Sequence, residues 1–208
     1  MAALLQGQEA LREAEFGNIS RAREETSNIR GSTSRRNLPA FLVLALVRKG
    51  QTTEAEAAAD QLASEKPVDT ILNFYWLPTI HAAISLNRVQ PTRSIELLQP
   101  AIPFEMSLDP ALVGGPLYPA YLRGQAYLRL GRGREAETEF QKFLEHRGIV
   151  TSHPFGALAY LGLARAYALS GDSAKARTKY QDFLALWKDA DHDIPILKQA
   201  KTEYAKLQ

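Results

Sequence analysis

Tyr121-Leu-Arg-Gly124-Gln-Ala-Tyr127-Leu-Arg-Leu-Gly131 returns 40 residues later as Leu161-Gly-Leu-Ala164-Arg-Ala-Tyr167-Ala-Leu-Ser-Gly171. The same displacement carries Ala136 onto Ala176, Phe140 onto Tyr180 and Phe143 onto Phe183. Apolar and small residues recur three and four apart on both sides of each glycine, the spacing of amphipathic helices. A glycine between two such stretches ends the first, because it takes positive φ without steric cost. The unit that repeats is therefore a pair of helices joined by a tight turn.

Working outward, Leu46-Val-Arg-Lys-Gly50 followed by Ala55, Ala59 and Leu62 carries the same order and closes at Pro67. Gly17 and Ala22 keep the same five-residue step nearer the start. A divergent copy has Val89 in the glycine position and Ser94 in the alanine position. The small residues at 22, 55, 94, 136 and 176 are separated by 33, 39, 42 and 40 residues. Self-similarity at such a period predicts stacked supersecondary units.

These residues resemble the tetratricopeptide repeat, a helix–turn–helix unit of about 34 residues whose pattern includes G-x-x-Y, then A-x-x-x-F, then P. Gly124, Tyr127, Ala136 and Phe140 match it, and Ala164, Tyr167, Ala176 and Tyr180 match with conservative changes. The resemblance implies an all-α solenoid of about five helix–turn–helix repeats, at about 2–33, 37–67, 69–103, 116–148 and 154–188. Within the third, one helix is expected over about 69–87 and another over about 91–101. A last helix at about 194–207, apolar on one stripe and charged behind, is expected to cap the stack, with Tyr204 and Leu207 docked on the fifth repeat. In each pair the small residue of the first helix, Gly124 for example, is expected to face the small residue of the second, here Ala136.

Composition narrows the function. Of 208 residues 45% are hydrophobic and 23% charged, the mixture of a folded globular chain. There is no cysteine, which removes disulfides, thiolate metal sites and cysteine nucleophiles. Net charge is +2 with both signs interleaved, unlike the clustered basic face that nucleic acid requires. The longest apolar run, Phe41 to Val47, is far short of the roughly 20 residues that span a bilayer. Glu9, Arg12, Glu13 and Glu15 interrupt any signal-peptide core. Ala2-Ala-Leu-Leu opens an apolar helix with no polar cap before it, which suggests a chain cut from a longer polypeptide or an end covered by a partner.

Longer stretches carry a closer resemblance. Phe74-Tyr-Trp-Leu-Pro-Thr-Ile80, Ser94-Ile-Glu-Leu-Leu-Gln-Pro-Ala101, Leu117 to Tyr127, Glu139 to Ile149, and Gly162 to Ala168 with Tyr180 to Asp191 resemble the C-terminal tetratricopeptide region of bacterial, especially acidobacterial, serine/threonine protein kinases. The resemblance implies a recognition module of a kinase-like signalling protein. It leaves the compartment open, cytoplasmic for the chain alone and periplasmic if a membrane segment precedes it in the parent. No kinase chemistry is expected in this stretch, because it has no glycine-rich phosphate loop, no D-F-G, and His146-Arg147 is followed by Gly148 in place of Asp.

Other chemistry lacks its sequence motifs. Asp189-Ala-Asp-His-Asp193 begins like a calcium loop, but Ile194 stands where the turn needs Gly and Ala200 where the bidentate Glu belongs. His81, His146, His153 and His192 have no recognised ligand spacing, and no Ser lies in a G-x-S-x-G turn. Catalytic residues, metal and cofactors are all expected to be none.

The tetratricopeptide resemblance implies a concave groove lined by the first helix of each pair, holding a protein or peptide partner. Extending the repeat phase assigns Asn37, Trp76, Tyr118, Tyr121, Gln125, Arg129 and Arg165 to it. Planar cations beside aromatic area favour a partner with acidic and apolar residues. The carboxylate-clamping Lys and Asn of chaperone-tail receptors are absent, with Ala40, Leu44, Tyr121 and Gln125 in their places. Self-association as a homodimer, with no foreign ligand, is the rival reading.

Overall fold

The computed structural model describes residues 2–32, 40–107, 117–150 and 153–207; side chains of the first stretch are described over 6–26. The described residues form helices and turns, and no strand is found among them. The chain divides into two compact units, Met1–Phe104 and Glu105–Gln208.

The first unit contains α1 (Ala2–Glu15), α2 (Ile19–Ser32), α3 (Ala40–Arg48), α4 (Thr52–Glu65), α5 (Leu77–Asn87) and α6 (Pro91–Leu97). Consecutive helices pair as hairpins, and the first helix of one hairpin packs on the first helix of the next, α1 on α3 and α3 on α5. Helix α3 is buried from Phe41 to Val47, which explains an apolar run with little alternation. Polar bonds tie neighbouring hairpins: Arg48 pairs with Glu15 at 2.7 Å, and Asn87 donates to the Val47 carbonyl.

The second unit contains α7 (Tyr118–Arg129), α8 (Gly133–Glu145), α9 (Arg147–Val150), α10 (Pro154–Leu169), α11 (Ser173–Leu186) and α12 (Pro195–Ala205). Hairpins α7/α8 and α10/α11 stack through α10, which packs on both α7 and α8, and α12 packs on α11. Tyr204 docks as expected, its ring 6.1 Å from that of Tyr180, and Arg177 donates to the Leu207 carbonyl at 3.1 Å.

The turns show why the copies are in phase. Gly17, Gly50, Gly131 and Gly171 have φ between +70° and +83°, and Val89 takes the same left-handed conformation at +59°. At each turn this residue donates to the carbonyl three back, and the next residue donates five back: Gly131 to Leu128 and Arg132 to Tyr127, Val89 to Leu86 and Gln90 to Ser85. This double closure is the Schellman motif, which satisfies orphan carbonyls at a helix end. The residue after the turn accepts from the small residue four on, as Arg132 does from Ala136 and Gln90 from Ser94. Those small residues, Ala22, Ala55, Ser94, Ala136 and Ala176, are all fully buried.

Two expectations change. The helix over 69–87 is not uniform: Leu72–Trp76 is a π-helical turn, with Leu77 N–H reaching back to Leu72. Pro78 supplies no N–H to the preceding turn, so the ladder widens there before α5 resumes. The helix from Pro91 ends at Leu97 and continues as a 3₁₀ segment, Gln99–Phe104, which carries Pro100 and Pro103. A Cβ built on Gly124 would meet the ring of Phe140, one turn along α8 from Ala136, which reaches into the space that glycine leaves open.

Candidate functional site

Helices α7 and α10 are the first helices of adjacent hairpins and carry most of the expected groove residues. The structure separates those residues sharply. Tyr118 and Tyr121 are 0% and 4% exposed, in an aromatic cluster with Phe155, whose ring lies 4.7 Å from Tyr118 and 5.2 Å from Tyr121. Tyr121 also meets Phe140 and Phe143 edge-on. In the first unit Trp76 is 5% exposed, edge-on to Phe41 at 4.7 Å and to Tyr75 at 4.9 Å. These three rings belong to the core, which corrects their assignment to a groove. Helix α7 is covered by both α8 and α10, so little of its circumference is left for a ligand. Asn37 lies outside the described residues.

Gln125, Arg129 and Arg165 remain at or near the surface. Gln125 is half-buried, and its Oε1 is shielded from solvent without a hydrogen-bond partner among the described residues. Arg129 is exposed at the end of α7, and Leu169, at the equivalent position of α10, is 51% exposed. Arg165 is half-buried and already holds a carboxylate. Its Nε and Nη2 donate to Glu203 of α12 at 2.9 and 3.1 Å. Tyr180 Oη donates to the same carboxylate at 2.9 Å, and Gln199 adds a further bond at 2.8 Å. Burial, with the Glu203 charge beside it, holds the Tyr180 phenol above its ordinary range. Arg165 thus shows which chemistry it accepts, a carboxylate approached bidentately beside an aromatic hydroxyl.

A second polar group escaped the sequence reading. Arg123 is only 2% exposed and donates to Glu105 at 2.6 and 2.9 Å and to Glu139 at 2.7 Å. Lys142 completes the group, 2.8 Å from Glu139. Burial opposes the Arg123 charge, but the two carboxylates outweigh it and hold the pKa above the ordinary value. Two carboxylates and two cations cancel, so the cluster fixes Glu105 against α7 and α8 and presents no unmet charge. No signal in the sequence pairs Glu105 with Arg123, since their contact is set by the fold. Among the described residues no cluster of His, Asp or Glu is suited to hold a metal, and no helix is long and apolar enough to cross a membrane.

Residues 121–191 match the tetratricopeptide repeat family model, a span that runs from α7 through α11. No curated protein and no solved structure matches the chain. The match falls on the two hairpins whose 40-residue correspondence is plainest in the sequence, and it supports a tetratricopeptide repeat domain of the kind that binds protein partners.

Proposed function

We propose that the chain is a non-catalytic protein-interaction scaffold that receives a peptide or helix along the first helices of its hairpins. The observation that carries this reading is the tetratricopeptide match over 121–191 laid on two hairpins with identical turn geometry. Gln125, Arg129 and Arg165 are the residues of α7 and α10 assigned to the ligand, with Leu169 as an apolar neighbour. The ligand this lining suits has carboxylates for the arginines and an apolar residue for Leu169.

The test uses the full chain to capture peptides from an acidic-apolar library and from a basic one. Arg129→Ala with Arg165→Ala should lose the captured acidic peptides, whereas Glu203→Ala, which frees the Arg165 guanidinium, should retain or tighten them. Raising salt from about 0.05 to 0.5 M shortens the Debye length from roughly 14 to 4 Å and should weaken capture. Equal capture by the double arginine variant would move the recognition surface away from α7 and α10.

The rival reading, self-association, is tested by light scattering across protein concentrations. A monomer favours recognition of a foreign partner, and a tight dimer favours assembly. The wider context we propose is a recognition module of a serine/threonine kinase-like signalling protein, on the resemblance of the stretches from Phe74 to Asp191. An in-frame kinase domain upstream of this stretch would support that context, and its absence would remove it.

A further inference from the structure

The connection from α8 to α10 is longer than the tight turns, and α9 occupies it. Its short helix sits between the end of α8 and the start of α10 and leaves a cavity of about 330 Å³, at the small end of the range of ligand sites. Phe143, Val150 and Ala157 supply apolar lining, and Leu186 at the end of α11, 60% exposed, stands at the mouth. Gly156 helps to keep the space: a Cβ there would come within 3.0 Å of Val150 Cγ1.

The polar side chains of the lining are Arg147, His153 and Tyr160, and Arg147 is the cation among them. Arg147 lines the cavity and donates from Nη2 to Tyr160 Oη at 2.9 Å. That partner is neutral, Arg147 is exposed, and among the described residues it is paired with no carboxylate. Lys179 Nζ stands 5.3 Å from the centre of the Tyr160 ring and is itself balanced by Asp182 at 2.7 Å. The site therefore combines an apolar hollow with one exposed guanidinium that holds no carboxylate among the described residues. An exposed leucine beside a hollow is an apolar surface that a side chain from outside would cover.

We propose that this cavity is a docking site for a partner peptide that inserts one large apolar side chain, Leu or Phe, and sets an adjacent carboxylate against Arg147. The hollow has room for one such side chain, and charge complementarity selects the neighbouring acid. Arg147 keeps donors beyond the one given to Tyr160, enough for a bidentate carboxylate. None of Gln125, Arg129 and Arg165 lines the cavity, so the inference stands apart from the groove reading.

The experiment titrates isotope-labelled full chain with acetyl-Glu-Phe-amide, using acetyl-Gln-Phe-amide and acetyl-Glu-Gly-amide as controls, and follows backbone amide shifts. The expected result is shifts at Arg147, Gly156, Ala157 and Leu186, with both controls weaker by about tenfold, which is about one hydrogen-bonded charge or one buried side chain. Arg147→Gln should reduce the affinity for acetyl-Glu-Phe-amide to that for acetyl-Gln-Phe-amide. Ala157→Leu, which takes up part of the hollow, should weaken binding of both. Shifts confined to α7 and α10 around Gln125 and Arg165 would overturn the cavity proposal while leaving the groove reading intact. Equal affinity for the Glu and Gln peptides, or no shift at about 10 mM peptide, would also overturn it.

Discussion

The ring of Phe140 occupies the space in which a side chain on Gly124 would begin: a Cβ built there would lie 2.6 Å from Phe140 Cζ. A Cβ on Gly162 of α10 would meet the same ring at 2.6 Å. Helix α8 therefore sets one aromatic plate against two glycines, one in its own hairpin and one in the next. Gly124→Ala and Gly162→Ala should each destabilise the second unit by about 1–3 kcal/mol, as overpacking does. Denaturant melts of the single variants and of Gly124→Ala with Phe140→Leu check it. The smaller side chain should return part of the loss, and strict additivity would show that the ring is not what Gly124 accommodates.

Val89 holds φ at +59° with its side chain 78% exposed, so the strained backbone gains nothing from packing. A β-branched residue in the left-handed region costs about 1–2 kcal/mol, and glycine returns part of that as unfolded-state entropy. Val89→Gly should raise stability by about 0.5–1 kcal/mol. The reverse change, Gly131→Val, should lower it. A lower melting temperature for Val89→Gly would contradict the reading of this turn.

Ser94 is fully buried at the position that Ala22, Ala55, Ala136 and Ala176 hold in the other copies, and its hydroxyl has no hydrogen-bond partner among the described residues. Burying an unsatisfied hydroxyl costs about 1–3 kcal/mol. Ser94→Ala should stabilise the first unit by an amount in the lower part of that range, seen as a higher denaturation midpoint with an unchanged slope.

Acid should act on the buried group around Arg123. Burial pushes the Glu139 carboxyl up, but the hydrogen bonds and charges of Arg123 and Lys142 pull it further down, below its ordinary 4.5. A carboxyl depressed in the folded state binds its proton more readily when unfolded. Its contribution is therefore complete above about pH 4.5 and is lost as pH falls through the folded value. Stability measured from pH 6 down to 3 should fall more steeply for the wild type than for Glu139→Gln. Arg123→Met, which leaves Glu105 and Glu139 with Lys142 as their one cation, should cost about 3–5 kcal/mol at neutral pH.

The Arg165–Glu203 pair joins α10 to the C-terminal helix, so a variant designed against ligand binding also loosens α12. Hydrogen exchange of the α12 amides should quicken several-fold in both Arg165→Ala and Glu203→Ala, as local opening becomes easier. Exchange in α7 and α8 should stay unchanged. Unaltered exchange in α12 would mean that Leu197 and Ala200, its buried residues, hold the helix without the ion pair.

The order of helices and turns was legible in the sequence because a Schellman closure asks for one residue with positive φ. Glycine meets that demand at four of the five turns. Val89 was legible by register alone, since the small residues on either side keep their spacing. The assignment of Tyr118, Tyr121 and Trp76 to a groove failed for a physical reason. Periodicity says which residues share a helix face, but α7 is covered by both α8 and α10, and only their packing decides which face is left. For the same reason the partners of Arg123 and Arg165, which lie 18 and 38 residues away in sequence, were out of reach. Local conformational preference thus determined the hairpins from sequence alone. Tertiary packing decided which aromatics became core, which arginine was neutralised in the interior, and where α9 left a hollow beside a guanidinium. Such contacts depend on the distance between helices, and sequence spacing does not encode that distance.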